Sequence, residues 1–171
     1  MPELTFPIET ERLLLRPFEP ADAGEIDPIY RECWPYFPAP LSSSLAQTQG
    51  IVERSVAMQA EHGFSFWLVR DRATGAAIGD CGLIPLELRG PEIELGYRLG
   101  RRWWGRGFAT EAAGAALGAG LDVLGLDRIL AVTHPQNAGS RRVMEKLGMT
   151  YQGMGTYYGG CVIYALARAD A

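Results

Sequence analysis

The chain has 171 residues, 47% of them apolar, which is enough for one ordinary core and predicts a single domain over residues 1–171. A formal net charge of −4 argues against general affinity for nucleic acid or anionic membrane, and no apolar run is as long as a membrane span. Cys33, Cys81 and Cys161 lack metal-ligand spacing, the two histidines lie far apart, and no signal-peptide pattern opens the chain; no metal site and a reduced, cytoplasmic setting are expected.

Arg12 to Arg16 is a short apolar run ended by Pro17 and predicts the first strand. Pro20-Ala21-Asp22 opens a helix expected to reach about Cys33. Trp34 to Pro40 carries Pro35, Pro38 and Pro40, which excludes regular structure; its aromatics suit either a packed lid or a ligand wall. Ser44, with Gln47 three residues on, predicts a capping box and a second helix that stops at Gly63. Phe64 to Arg70 and Ala76 to Leu86 predict a hairpin around the turn Asp71 to Gly75.

From Glu92 the residues alternate. Ile93, Leu95, Tyr97 and Leu99 share one face and Glu92, Glu94, Gly96 and Arg98 the other, a half-buried strand. Ala109 to Leu124 predicts a helix stopped by Gly125. Gly114, Gly118 and Gly120 weaken it by about 1 kcal/mol each relative to alanine, a cost that suggests a backbone lying close to a sheet. Arg128 to Thr133 predicts a strand, and Ala138 to Leu147 a helix stopped by Gly148. Thr150 to Tyr158 and Cys161 to Ala167 predict a closing hairpin around Gly159-Gly160. The order β-α-α-β-β-β-α-β-α-β-β predicts an α/β (α+β) fold of about seven strands and four helices, mostly antiparallel with one parallel crossover.

The segment Arg102-Trp103-Trp104-Gly105-Arg106-Gly107-Phe108-Ala109-Thr110 joins a strand to a helix. The first turn of a helix has amides without internal partners and carries partial positive charge. Gly105 and Gly107 let backbone approach a ligand closely, and Arg102 and Arg106 add counter-charge, so a pyrophosphate-bearing ligand is expected. A dinucleotide fingerprint fits poorly, because Gly105-x-Gly107-x-x-Thr110 lacks the third glycine. No Gly-Lys-Ser/Thr follows, which excludes a P-loop.

Four blocks in order carry a resemblance. They are Thr10-Glu11-Arg12-Leu13-Leu14-Leu15-Arg16, Glu94-Leu95-Gly96-Tyr97-Arg98-Leu99, Trp104 to Ala112, and Asn137-x-x-Ser140 leading to Glu145-Lys146-Leu147-Gly148-Met149. Together they resemble the GNAT acetyltransferase superfamily, and in detail its ribosomal-protein N-terminal acetyltransferase (RimJ/RimL-like) branch. The resemblance implies two central parallel strands that splay apart around the arm of acetyl-CoA, a co-substrate bound without metal. It implies that the backbone of Tyr97, Arg98 and Leu99 pairs with that arm. Arg102, Trp103, Trp104, Gly105, Arg106, Gly107, Phe108 and Thr110 would then surround the diphosphate, Asn137 would hydrogen-bond the arm, a role compatible with its alternative reading as the N-cap of the helix starting at Ala138, and Ser140 would sit near the sulfur. A homodimer is implied by similarity alone.

Acyl transfer to an amine requires a base, and Glu94, on the polar face of its strand, is the catalytic candidate ahead of Glu92. A solvated acid paired with Arg98 or Arg89 is the alternative role for Glu94. Ser140 is the candidate at the leaving thiolate, because Met144 stands where many relatives carry tyrosine; Tyr157 or Tyr158 could reach in but suit structural roles. The expected activity is transfer of acetyl to a primary amine, on a protein N-terminus or a small molecule, by direct attack. The alternative is a non-catalytic acyl-CoA sensor or partner-binding module on the same fold.

Overall fold

The apolar runs become strands and the periodic segments become helices in the computed structural model, which describes residues 2–32, 34–36 and 40–169. The strands are β1 (Ile8–Glu9), β2 (Leu13–Pro17), β3 (Phe66–Asp71), β4 (Ala77–Pro85), β5 (Ile93–Leu99), β6 (Arg128–Thr133), β7 (Thr150–Gly155) and β8 (Cys161–Ala167). The helices are α1 (Ala23–Tyr30), α2 (Leu45–His62), α3 (Phe108–Gly118) and α4 (Ala138–Lys146). One sheet runs β1-β2-β3-β4-β5-β6-β8-β7. All neighbours are antiparallel except β5 and β6, which are parallel and joined through α3. Strand β1, two residues long, lies outside the sequence expectation.

Each face of the sheet is covered. Leu13, Trp67, Leu83 and Leu95 pack with Phe108, Ala112 and Ala116 of α3 and Met144 of α4. On the opposite face Leu68 packs with Ile26 and Tyr30 of α1 and Val52 of α2. Gly120 lies where the chain after α3 presses on the sheet, since a Cβ there would stand 2.6 Å from Ile129 Cδ1 and 2.8 Å from Leu83 Cδ1. Gly114 and Gly118 make no comparably close approach.

Several boundaries differ from expectation for local reasons. The first predicted helix is a 3₁₀ turn, Pro20–Asp22, followed by α1; its expected end, Cys33, lies outside the described residues, as do Phe37, Pro38 and Ala39 of the proline-rich loop. The helix expected to reach Leu124 ends at Gly118 and continues as a π turn, Ala119–Val123, beside the tight Gly120 contact. Ser44 caps α2 by accepting from the Gln47 amide at 3.2 Å, but the Gln47 side chain accepts from Ser43 instead of closing back on Ser44. The sixth predicted strand, Thr150 to Tyr158, stops at Gly155, and Tyr157–Gly159 folds into a 3₁₀ turn with Tyr158 at φ 50°. No helix is long and apolar enough to cross a membrane among the described residues.

Candidate active site

The strand-to-helix corner is built by glycine conformation and held by a long-range ion pair. Gly105 (φ 70°) and Gly107 (φ 80°) both lie in the left-handed region, which L side chains rarely adopt. Gly107 is the N-cap of α3, and no side chain caps the helix. Its first-turn amides are therefore free to take an anion. Arg12 anchors the corner. Its Nε donates to Glu111 at 2.7 Å, its Nη1 to the Arg106 carbonyl at 2.9 Å, and its guanidinium lies 4.3 Å from the Phe108 ring centre. Glu111 also accepts from the Thr10 hydroxyl at 2.6 Å. Burial opposes its charge, but the hydrogen bonds from Thr10 and Arg12 outweigh this and keep its pKa below the ordinary value. Trp103 is buried; Trp104 is 44% exposed and ties its indole N–H to the Leu99 carbonyl at 2.8 Å. Arg102 and Arg106 each lie about 5 Å from the Trp103 ring centre.

Strands β5 and β6 pair at a single position, Glu94 with Leu130, and part beyond it. Two cavities meet at this opening. The first, about 610 Å³, has Gly105, Gly107, Phe108 and Thr110 on one wall and Asn137 and Ser140 on the other. Trp103, Trp104 and Leu99 also line it, whereas Arg102 and Arg106 do not; the cations on its wall besides Arg98 are Arg142 and Lys146 of α4. The second, about 650 Å³, lies between β5, α2 and the turn after β7, and Glu94 lines it. Tyr36, Tyr97, Arg98, Asn137 and Ser140 line both.

Glu94 is 8% exposed, so the polar face of β5 is a buried face once the second layer of helices and the Tyr157–Gly159 turn cover it. The Tyr158 hydroxyl donates to Glu94 Oε2 at 2.6 Å. Burial raises the Glu94 pKa to about 7, against the pull of that hydrogen bond and of the Arg98 charge. Arg98 is not its ion-pair partner. The Arg98 guanidinium pairs with fully buried Asp80, Nε to Oδ1 at 2.8 Å, and stacks 4.2 Å from the Phe66 ring centre. Burial disfavours the Arg98 charge, yet Asp80 reverses this and its pKa is raised. The Arg98 side chain is thus committed to structure, leaving its backbone for any role toward a ligand. On the side of the first cavity the Tyr97 hydroxyl lies 2.7 Å from Ser140 Oγ and donates to the Ser140 carbonyl at 3.1 Å. Asn137 caps α4, its Oδ1 accepting from the Ser140 amide at 3.1 Å.

A model of the acetyltransferase (GNAT) domain matches residues 12–150. The chain belongs to the GNAT acetyltransferase family. It is 31% identical over 152 residues to an uncharacterised N-acetyltransferase of Bacillus subtilis, YoaA, covering 87% of this chain and 86% of that one. It is 37% identical over 106 residues to the uncharacterised B. subtilis protein YkkB, covering 61% of this chain and 62% of that one. A structure of RimL, a ribosomal L7/L12 α-N-protein acetyltransferase, in complex with coenzyme A superposes with a TM-score of 0.78 at 16% identity, covering 96% of this chain and 99% of that one. GNAT acetyltransferases take their acetyl group from acetyl-CoA. The uncapped amides of α3, the two left-handed glycines, the α4 cations and the parted strands fit that molecule. Among the described residues no group of three His, Cys, Asp or Glu side chains is placed to hold a metal.

Several residues escaped the sequence reading. Arg142 and Lys146 were readable, because Gly139, Arg142, Val143 and Lys146 follow helical spacing on the cavity side. The Tyr97 hydroxyl reaches Ser140 near the position of Met144, which is 1% exposed and packed in the core. Tyr158 was weighed as structural; its hydroxyl is the direct partner of Glu94.

Proposed function

We propose that the chain transfers acetyl from acetyl-CoA to a primary amine by direct attack, at the opening where its two cavities meet. The observation that carries this reading is the placement of Glu94 on the second cavity and of the Tyr97–Ser140 pair at its junction with the first. Acetyl-CoA, when bound, supplies a thioester-activated acetyl group. The amides from Gly105 to Thr110 hold its diphosphate, with Arg142 and Lys146 adjacent, and the parted edge of β5 at Tyr97 to Leu99 takes the arm. Glu94 takes the proton of the incoming amine as the C–N bond forms; a carboxylate near pKa 7 is both substantially ionised and basic enough at neutral pH. As the C–S bond breaks and sulfur leaves as the thiolate, the Tyr97–Ser140 pair donates a hydrogen bond to it. Burial raises the Tyr97 pKa, so its hydroxyl stays protonated and available as a donor. Direct attack is supported over an acyl-cysteine route by Cys161, whose thiol is pushed up by burial and is a poor nucleophile. The motif pattern supports a place beside the RimJ/RimL branch, with an amine acceptor and a single catalytic domain.

The test is thiol release from acetyl-CoA over a panel of amines, with Glu94→Gln beside the wild type. The expected result is turnover with at least one amine and a loss of at least about 100-fold in kcat in the variant, while stabilisation by coenzyme A is kept. No thiol release across the panel, or an undiminished variant, refutes the proposal.

A further inference from the structure

The second cavity carries a cation that the protein leaves without a partner. Ile51, Arg54, Ser55 and Met58 line it from α2, and their spacing of i, i+3, i+4 and i+7 puts Arg54 on the stripe of the helix that faces the space. Most other arginines are committed. Arg12, Arg16, Arg31, Arg70, Arg72, Arg98, Arg128 and Arg168 sit in ion pairs, and Arg141 donates to Tyr164. Among the described residues the Arg54 side chain is exposed and, like those of Arg89, Arg102, Arg106 and Arg142, has no ion pair and no hydrogen bond; of these five it is the one that lines the second cavity.

A second observation is independent of the first. Ser65, also on this wall, is 1% exposed, and its hydroxyl has no hydrogen-bond partner. Buried hydroxyls without partners are rare in folded proteins and call for one. Most of the remaining wall is apolar or aromatic, including Leu41, Phe66, Ile84, Leu88 and Val132. Glu94 is the sole carboxylate on it among the described residues, and Arg98 is already neutralised by Asp80.

We infer that the acceptor is a small amine that also bears a carboxylate, separated from the amine by an apolar body. This rests on the reading of the second cavity as the acceptor site. The amine meets Glu94, the apolar body meets the wall, and the carboxylate takes the Arg54 guanidinium, with the Ser65 hydroxyl a further donor to an acceptor oxygen. A polyamine would find one acid and an unneutralised arginine. A peptide N-terminus, with its carboxyl end outside the cavity, would leave Arg54 unused.

The experiment pairs ω-amino acids with their decarboxylated amines, 6-aminohexanoate with pentylamine and 4-(aminomethyl)benzoate with benzylamine, and adds spermidine and a free-N-terminus peptide. Thiol release gives kcat and KM for the wild type, Arg54→Met and Glu94→Gln. Thermal stabilisation by coenzyme A checks that each variant keeps the cofactor site. The carboxylate-bearing member of each pair is expected to be the better substrate. Arg54→Met is expected to lower its kcat/KM by about 10- to 100-fold, chiefly through KM, and to leave the decarboxylated amine unchanged. Equal use within pairs, an equal loss for both members, or preference for spermidine or the peptide overturns the inference while leaving the enzyme reading in place. An undiminished Glu94→Gln overturns the base assignment and leaves the Arg54 result standing. No thiol release with any acceptor overturns both.

Discussion

Glu94→Gln separates stability from turnover. The substitution keeps the shape of the side chain and an oxygen for the Tyr158 hydroxyl, and removes the charge. In the unfolded chain the carboxyl ionises near its ordinary value of 4.5; in the folded chain burial holds it protonated to about 7. Between those values the unfolded state loses its proton first, so the contribution of this group to folding stability falls as pH rises, and it is constant above about 7. The separation corresponds to about 3 kcal/mol of destabilisation at alkaline pH. Glutamine carries no such term. Urea unfolding should therefore give wild type and variant stabilities within about 1 kcal/mol at about pH 5. The variant should be ahead by a further 2 to 3 kcal/mol, roughly, at about pH 8. In a chain of this size that is a rise in Tm of roughly 5–10 °C. The same variant should lose turnover, since a group kept at a cost to stability is the expected mark of a working site. A stability gap that stays constant across pH refutes the burial argument.

Two further substitutions probe the surroundings of Glu94. Tyr158→Phe removes the hydrogen bond that opposes the effect of burial, so the inflection in the pH profile of kcat/KM should move further above about 7; an unshifted profile refutes the contact. Asp80→Ala strands the Arg98 charge inside the protein and should cost about 3–5 kcal/mol in urea unfolding, whereas a loss below about 1 kcal/mol would show that the pair carries no such weight.

The local structure of the strand-to-helix corner and of the start of α4 was legible because its determinants are local. Left-handed glycines, an uncapped helix start and the Asn137 cap each follow from a few adjacent residues, and the same is true of the stops at Gly63 and Gly148. Glu94 was assigned to the correct face of β5, but alternation says nothing about what covers a face. The cover comes from α1 and α2 and from a turn that begins more than 60 residues later, and this converts a polar face into a buried one. Tyr158 was hidden by the expectation of extended chain up to Gly159. The turn instead holds Tyr158 at φ 50° while Glu87, which its amide contacts at 2.9 Å, sits at φ 54°. Non-glycine residues in that region are tolerated where surrounding contacts over-determine them, and here those contacts converge on Glu94.

Tyr97 shows why a correct sequence rule can still miss chemistry. Alternation assigns it to the apolar face of β5, and its ring does pack against that core. That face is also where β5 leaves β6, so a side chain pointing into the core at this register points into the opening between the strands. Its ring is therefore packed while its hydroxyl meets Ser140 from the far wall. Binary patterning reads one property per residue, whereas a tyrosine at a splay point has an apolar body and a polar tip in two different environments. A helix tyrosine is not needed near Met144 if the strand supplies the hydroxyl from across the gap. In the mechanism proposed above, the hydroxyl beside the leaving sulfur is placed by the separation of β5 from β6, and not by a position along α4.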